Sequence, residues 1–223
     1  MYKILITSGP TREYLDPVRF LTNASSGRMG AALASAAIEF GCEVTIVTGP
    51  VKISDPKQSQ VIEVETTQQM LDACIKEFPL CDCVIGAAAP CDYKPVHYSS
   101  SMLSKTGKTL TLEFQPTADI LADLCAIKTT DQTIIGFALE TDNGVTNAQE
   151  KLKRKNCDLI CLNSPSAINS PENKIALITE RGIVAQLSGS KKSSQRKLFV
   201  TLWNRTRLND VWGLSMLCYM VTR

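Results

Sequence analysis

Thr7-Ser-Gly-Pro-Thr-Arg-Glu-Tyr-Leu-Asp-Pro-Val-Arg-Phe-Leu-Thr-Asn-Ala-Ser-Ser-Gly-Arg-Met-Gly30 lies between an apolar run, Tyr2–Ile6, and an Ala-rich segment, Ala31–Phe40, that Gly41 ends. The first flank predicts a buried strand and the second a helix. A strand, a loop rich in Gly, Ser and Thr, and then a helix N-terminus form an anion site, because free N–H groups and the positive helix end face the same point. The glycines of Ser25-Ser-Gly-x-x-Gly30 come late in the loop, and no G-x-G-x-x-G follows the strand. The stretch therefore predicts a phosphate site without the dinucleotide fingerprint.

Outward from this stretch the pattern alternates. Strands are predicted at Lys3–Ser8, Glu43–Thr48, Val61–Val64, Cys83–Ala88, Thr133–Glu140 and Leu159–Leu162, as short runs rich in Ile, Val and Leu. Helices are predicted at Arg28–Phe40, Thr67–Glu77, Thr117–Ile127 and Asn147–Lys155, with Thr66 and Thr117 reading as caps. Such alternation gives an α/β fold, a Rossmann-like doubly wound, mostly parallel sheet with right-handed crossovers. Later, Lys174–Thr179 and Ile183–Leu187 flank a tight turn and read as a β-hairpin, followed by a last helix at Ser193–Asn204. Pro90–Leu112 has no clear period and reads as a lid or binding loop.

With 223 residues, one domain over residues 1–204 is expected, with 205–223 as a separate tail. A net charge of +2 without a basic stripe argues against nucleic acid. The nine cysteines lie mostly within apolar patterns and read as buried thiols of a reducing, cytoplasmic setting. Cys81-x-Cys83 lacks zinc spacing, and the single His97 does not complete a site. Met1 stands directly before the first strand, so no signal peptide is expected, and Val211–Val221 is too short to span a bilayer.

Four separated motifs resemble the phosphopantothenoylcysteine synthetases of coenzyme A biosynthesis. They are the first loop through Asn23-Ala-Ser-Ser-Gly27, Gly86-Ala-Ala-Ala-Pro-Cys-Asp92-Tyr, Ile135-Gly-Phe137-Ala-Leu-Glu140-Thr, and Lys151-x3-Lys155-Asn-x-Asp158-Leu-Ile-x-x-Asn163. The resemblance implies a ligase joining 4′-phosphopantothenate to L-cysteine through an acyl-nucleotide, with CTP in most bacteria and ATP in animals. It also implies Mg²⁺ carried with the nucleotide and a homodimer. Fused bacterial forms carry a flavin-dependent decarboxylase ahead of this region; here the resemblance starts with the first strand, so a stand-alone synthetase using CTP is expected.

The resemblance carries roles residue by residue. Asn23 matches the asparagine that stabilises the acyl-nucleotide; its plainer reading is a helix cap or an Asx turn. Ser25, Ser26, Gly27 and Gly30 match the phosphate cradle, against a reading of close helix packing. Gly86, Ala87, Ala88, Ala89 and Asp92 match the nucleotide segment, although an Asx turn also accounts for Asp92. Thr117, Ala118, Asp119 and Ile120 match a helix start near the base, and Phe137 a base-packing residue that otherwise reads as core. Lys151 and Lys155, four apart on one helix face, match triphosphate lysines, while a solvated face is the plainer reading. The sequence departs from the family in the lid: a Lys-x-Lys-Lys motif falls on Met102-Leu-Ser-Lys105, leaving Lys105, and behind it Lys108, to replace the catalytic lysine lost at Met102. Two rival readings stay open, an NAD(P)-dependent oxidoreductase and a non-catalytic nucleotide-binding relative.

Overall fold

The computed structural model describes residues 1–140, 142–163 and 172–206. Six parallel strands form the centre: β1 (Lys3–Ser8), β4 (Glu43–Thr48), β5 (Gln60–Glu63), β6 (Cys83–Gly86), β9 (Thr133–Leu139) and β10 (Leu159–Asn163). The hairpin β11 (Glu172–Thr179) and β12 (Gly182–Ser190) adds antiparallel beside β10. The order is β12-β11-β10-β9-β6-β1-β4-β5. Chain direction across the sheet thus reverses at β1 and β6, whose C-terminal ends flank the crevice where open α/β sheets place ligands. The expected Rossmann-like fold with its late hairpin is what the chain forms.

Helices α1 (Arg28–Glu39) and α5 (Lys191–Thr206) cover one face of the sheet. The other carries α2 (Thr67–Glu77), α3 (Ile120–Ile127) and α4 (Gly144–Lys155). Both faces of the central strands are therefore buried, which is why β1 and β6 read as near-continuous apolar runs. Burying each such Ile or Leu contributes about 1.5–3 kcal/mol before entropy is counted. On α5, Phe199 and Trp203 close against Phe40 and Tyr2, with ring centroids 5.3–6.1 Å apart.

Several boundaries differ from the sequence expectation for local reasons. β6 stops at Gly86, not Ala88, because the next amides leave the ladder: Ala88 N–H donates to Thr7 Oγ1 (3.2 Å) and Ala89 N–H to the Gly9 carbonyl (2.8 Å). α3 starts at Ile120 with Asp119 as its cap, accepting from Ala122 N–H at 3.2 Å. Thr117 is not the cap, since its hydroxyl donates to the Cys91 carbonyl (2.5 Å). α4 begins earlier than expected, at Gly144, and the last helix is longer at both ends. Two small antiparallel pairs were not expected: β2 (Arg12–Tyr14) with β3 (Phe20–Thr22), and β7 (Tyr93–Pro95) with β8 (Phe114–Pro116). They are three-residue strands with no period to read. Of the expected tail, Arg205 and Thr206 end α5; Trp212, Met216, Cys218 and Met220 lie outside the described residues.

Candidate active site

At the β1/β6 switch point lies a cavity of about 250 Å³. Residues from three separated motifs line it: Gly86, Ala88 and Asp92 after β6, Phe137 on β9, and Lys151 and Lys155 on α4. Thr117, Ala118, Asp119 and Ile120 form the wall at the start of α3. Gly86 keeps α3 close: a Cβ there would stand 2.7 Å from Leu121 Cδ2. The floor is thus apolar and narrow, with polar groups converging at its edge, as small-molecule sites usually are.

The two lysines are turned inward, so the solvated-face reading fails. Lys151 Nζ donates to the Phe137 carbonyl at 2.8 Å, and Lys155 Nζ pairs with Asp119 Oδ1 at 2.8 Å. The Lys155 side chain is only 14% exposed. Burial pushes the Lys151 ammonium below the ordinary lysine value, and the neighbouring Lys155 adds to this, with Glu140 and Asp119 opposing. At Asp119 burial pulls the carboxyl upward, but the Lys155 ammonium and the Ala122 amide outweigh it and hold it below the usual carboxylate value. Asp92 is exposed at the rim, and its carboxylate has no hydrogen-bond partner among the described residues. A site with two cations, a free carboxylate and an apolar floor can hold a polyphosphate at one end and a ring at the other.

Asn23 sits beside this cavity rather than in its lining. Its side-chain amide donates to the carbonyls of Pro90 (2.8 Å) and Ala89 (3.4 Å), bridging the first loop to the β6 exit. It does not cap α1: the cap is Gly27, with φ +73°, and it makes no side-chain bond to the first-turn amides. The first-turn amides of α1 are therefore open to an anion. Ser26 is exposed, and Ser25 Oγ accepts from Gly27 N–H at 3.5 Å. Gly30, by contrast, is buried inside the helix against β1, where a Cβ would come within 2.6 Å of Ser8 Cβ. Gly30 thus packs α1 on β1, while Ser25 and Ser26 stand outside that contact with Gly27 at the helix start. Ala87 and Ala89 also stay outside the cavity lining: Ala87 N–H turns back to the Ile85 carbonyl of β6, and Ala89 N–H links the β6 exit to Gly9 of the first loop.

Lys105 is not brought to the cavity. It lies exposed in the loop between β7 and β8, as do Met102, 60% exposed, and Lys108. Sequence reasoning missed Cys91, which is buried against the cavity, its amide held by Thr11 Oγ1 at 2.8 Å. It also missed Asp16 and Glu13, two buried carboxylates of the first loop; Glu13 Oε1 accepts from Thr67 N–H at the start of α2 (2.8 Å). Acidic residues in a polar loop carry no burial signal, so composition could not single these out. A wider hollow of about 610 Å³ between the hairpin and α4 gathers none of the expected site residues. Among the described residues no cluster of three or more His, Cys, Asp or Glu could hold a metal, and no helix is long and apolar enough to cross a membrane.

Comparison with known proteins bears on the family and the fold. A protein from an unknown prokaryotic organism, described as cysteine/cysteine sulfinic acid decarboxylase, is 46% identical over 163 residues, 73% of this chain and 45% of that protein. The coenzyme A biosynthesis bifunctional protein CoaBC of Vibrio parahaemolyticus is 39% identical over 201 residues, 87% of this chain and 50% of that protein. The chain spans about half the length of these curated relatives. The crystal structure of the C-terminal domain of a CoaBC protein superposes with a TM-score of 0.77 at 34% identity, covering 93% of this chain and 95% of that one. Residues 1–204 match the DNA/pantothenate metabolism flavoprotein C-terminal domain, and the chain belongs to that family.

Proposed function

We propose that this chain is a phosphopantothenate–cysteine ligase, and that the cavity at the switch point holds the nucleotide. The observation that carries the reading is the convergence of the Gly86–Asp92, Phe137 and Lys151/Lys155 motifs on one cavity. Its likeness to the C-terminal half of coenzyme A biosynthesis proteins supports the same reading.

In this reading Lys151 and Lys155 bind the triphosphate, Phe137 and the alanines of the β6 exit pack the base, and Asp92 contacts the ribose. The open first-turn amides of α1, with Ser25, Ser26 and Gly27, hold the phosphate of 4′-phosphopantothenate. The substrate carboxylate attacks the α-phosphate and pyrophosphate leaves. The amine of L-cysteine then attacks the acyl-nucleotide carbonyl, and the nucleoside monophosphate leaves. Activation is required because a free carboxylate offers no adequate leaving group. The Asn23 amide, at the junction of the two loops, is proposed to donate to the negative oxygen that develops in each addition, giving up a loop carbonyl to do so.

Among the described residues no group of carboxylate, imidazole and thiol donors makes a protein-held metal site; Mg²⁺ is proposed to ride on the nucleotide's phosphates, whose charge it would screen when bound. CTP is the proposed nucleotide, as in the bacterial members the sequence resembles, with ATP the alternative. The proposed setting is cytoplasmic and the proposed assembly a homodimer. Exposed Val18, Phe20, Leu21, Tyr93 and Phe114 on the two small strand pairs support a paired surface there, besides the edge strand β12.

The test is pyrophosphate release with 4′-phosphopantothenate and either CTP or ATP, with and without cysteine. Ligation is expected with one nucleotide. Met102 and the exposed Lys105 favour a second reading, a non-catalytic nucleotide binder. Nucleotide binding without pyrophosphate release would overturn the ligase in its favour.

A further inference from the structure

The Asp16 side chain is fully buried, although Pro17–Asn23 around it is exposed. A carboxylate is seldom buried without a full set of donors, and this one has them on two sides. Oδ1 accepts from Val18 N–H (2.8 Å) and Arg19 N–H (2.7 Å), which closes a turn within its own loop. Oδ2 accepts from Leu103 N–H (3.1 Å) and from Arg19 Nη1 (2.5 Å), and the same Nη1 donates onward to the Leu103 carbonyl (2.8 Å). Both polar groups of Leu103 are therefore held by the first loop, more than 80 positions away in sequence.

Little else holds this stretch. Among the described residues, the other hydrogen bond tying 97–112 to the rest of the chain is Ser99 N–H to the Leu15 carbonyl, at 3.0 Å. Beyond Leu103 no such bond is made until Glu113, and Lys105 lies two residues past the anchor. We infer that Asp16 is a latch: it pins the lid to the first loop at Leu103 and so positions Lys105 for the nucleotide reaction. The positioning role rests on the ligase reading above. The geometry makes Leu103 a pivot, with residues 104–112 free to swing and their starting point fixed. A fixed start removes much of the conformational freedom that closure would otherwise have to lose. The latch is also constantly charged: burial raises the Asp16 carboxyl, but its backbone donors and Arg19 outweigh this and hold it at about 2.

Two variants break the link from opposite ends. Asp16→Asn keeps Oδ1 for the turn but puts an amide nitrogen, a donor, against the two donors at Oδ2. Leu103→Pro removes the lid N–H and leaves Asp16 untouched. Both are expected to speed tryptic cleavage after Lys105 and Lys108 by about tenfold or more, the equivalent of one charge-assisted hydrogen bond, and by more than any fall in the urea midpoint accounts for. Both should also lower kcat for pyrophosphate release by about tenfold while leaving the nucleotide KM within about twofold, since the floor lysines are unaltered. Lid cleavage at the wild-type rate, or accelerated only in step with global unfolding, overturns the latch. Faster cleavage with unchanged kcat overturns the positioning role. A wild-type protein that releases no pyrophosphate overturns the ligase reading and the positioning role together, while cleavage still decides the latch.

Discussion

Gly30 separates a packing glycine from a phosphate-binding one, and Gly30→Ala tests the distinction. In a free helix the change would favour folding, because Ala exceeds Gly in helix propensity by about 1 kcal/mol. Here the added methyl would lie 2.6 Å from Ser8 Cβ and 3.2 Å from Ser8 Cα. Ser8 cannot give way freely: it is 0% exposed, and its Oγ donates to the Gly27 carbonyl at 3.1 Å. Relieving the overlap means sliding α1 off β1 at about 1–3 kcal/mol, and losing that hydrogen bond leaves the buried Ser8 hydroxyl unmet at about 1–3 kcal/mol more, the Gly27 carbonyl keeping the Ala31 amide. After the propensity gain, a net loss of about 1–5 kcal/mol is expected, or a fall in Tm of roughly 2–20 °C for a chain of this size. Ser8→Gly in the same chain removes the nearest atoms and should recover a large part of the loss. Thermal unfolding of wild type, Gly30→Ala and the double variant decides it. A Gly30→Ala protein as stable as wild type but defective in substrate binding would refute the packing reading and return Gly30 to the phosphate cradle.

The remaining predictions concern the cavity. Lys151→Met should weaken nucleotide binding about 10–100-fold, the worth of one charge-assisted contact, with little change in fold, as read by calorimetric titration. Because burial lowers the Lys151 ammonium and a bound polyphosphate favours its charged form, nucleotide affinity should fall as pH rises through that lowered value, below the ordinary lysine range; Lys151→Met should abolish this part of the pH dependence. The folded carboxyl of Asp119 is lowered by Lys155, so the pair's contribution is present above the ordinary aspartate value and lost as pH falls through the lowered one; Asp119→Asn should flatten the acid limb of a stability–pH curve. Asn23→Asp should slow ligation by roughly 3–4 kcal/mol in barrier with the fold intact, and a variant at wild-type rate would leave Asn23 as only a bridge between loops. Lys105→Ala should impair catalysis more than Lys108→Ala, and Met102→Lys should raise the rate of nucleotide activation; equal rates for wild type, Lys105→Ala and Met102→Lys would mean that this lid does not act on the triphosphate.

What the sequence made legible follows from where its signals are regular. β1, β4 and α2 fall on the residues expected, since an apolar run or a Thr66/Gln69 capping box fixes each end locally. The floor of the site was legible only through the family resemblance, since by residue type alone Lys151 and Lys155 read as a solvated face and Phe137 as core. The ends of β6 and α3 were not. Thr117 looks like a cap by residue type, but tertiary structure gives its hydroxyl to Cys91 and leaves capping to Asp119. Gly30 looks like a phosphate glycine until β1 is placed beneath it. Asp16 stands in a polar loop, and only the approach of Leu103, 87 residues along, makes it a buried hub.

These differences follow a physical boundary between floor and lid. The floor is built on rigid elements: Gly86 packed by Leu121, Lys151 bonded to β9, Lys155 locked to the α3 cap. Such a floor is organised before a nucleotide arrives, and binding there loses little conformational entropy. The lid is the opposite case, a long loop held at Leu15 and Leu103, and it is where Met102 stands in place of a lysine. Binding energy and rate should therefore separate in this protein. Substitutions on the floor change affinity for the nucleotide, whereas substitutions at the lid and its anchor change turnover at constant affinity. A lid substitution that altered nucleotide affinity as strongly as Lys151→Met would show that floor and lid form a single rigid site, and the distinction between them would fall.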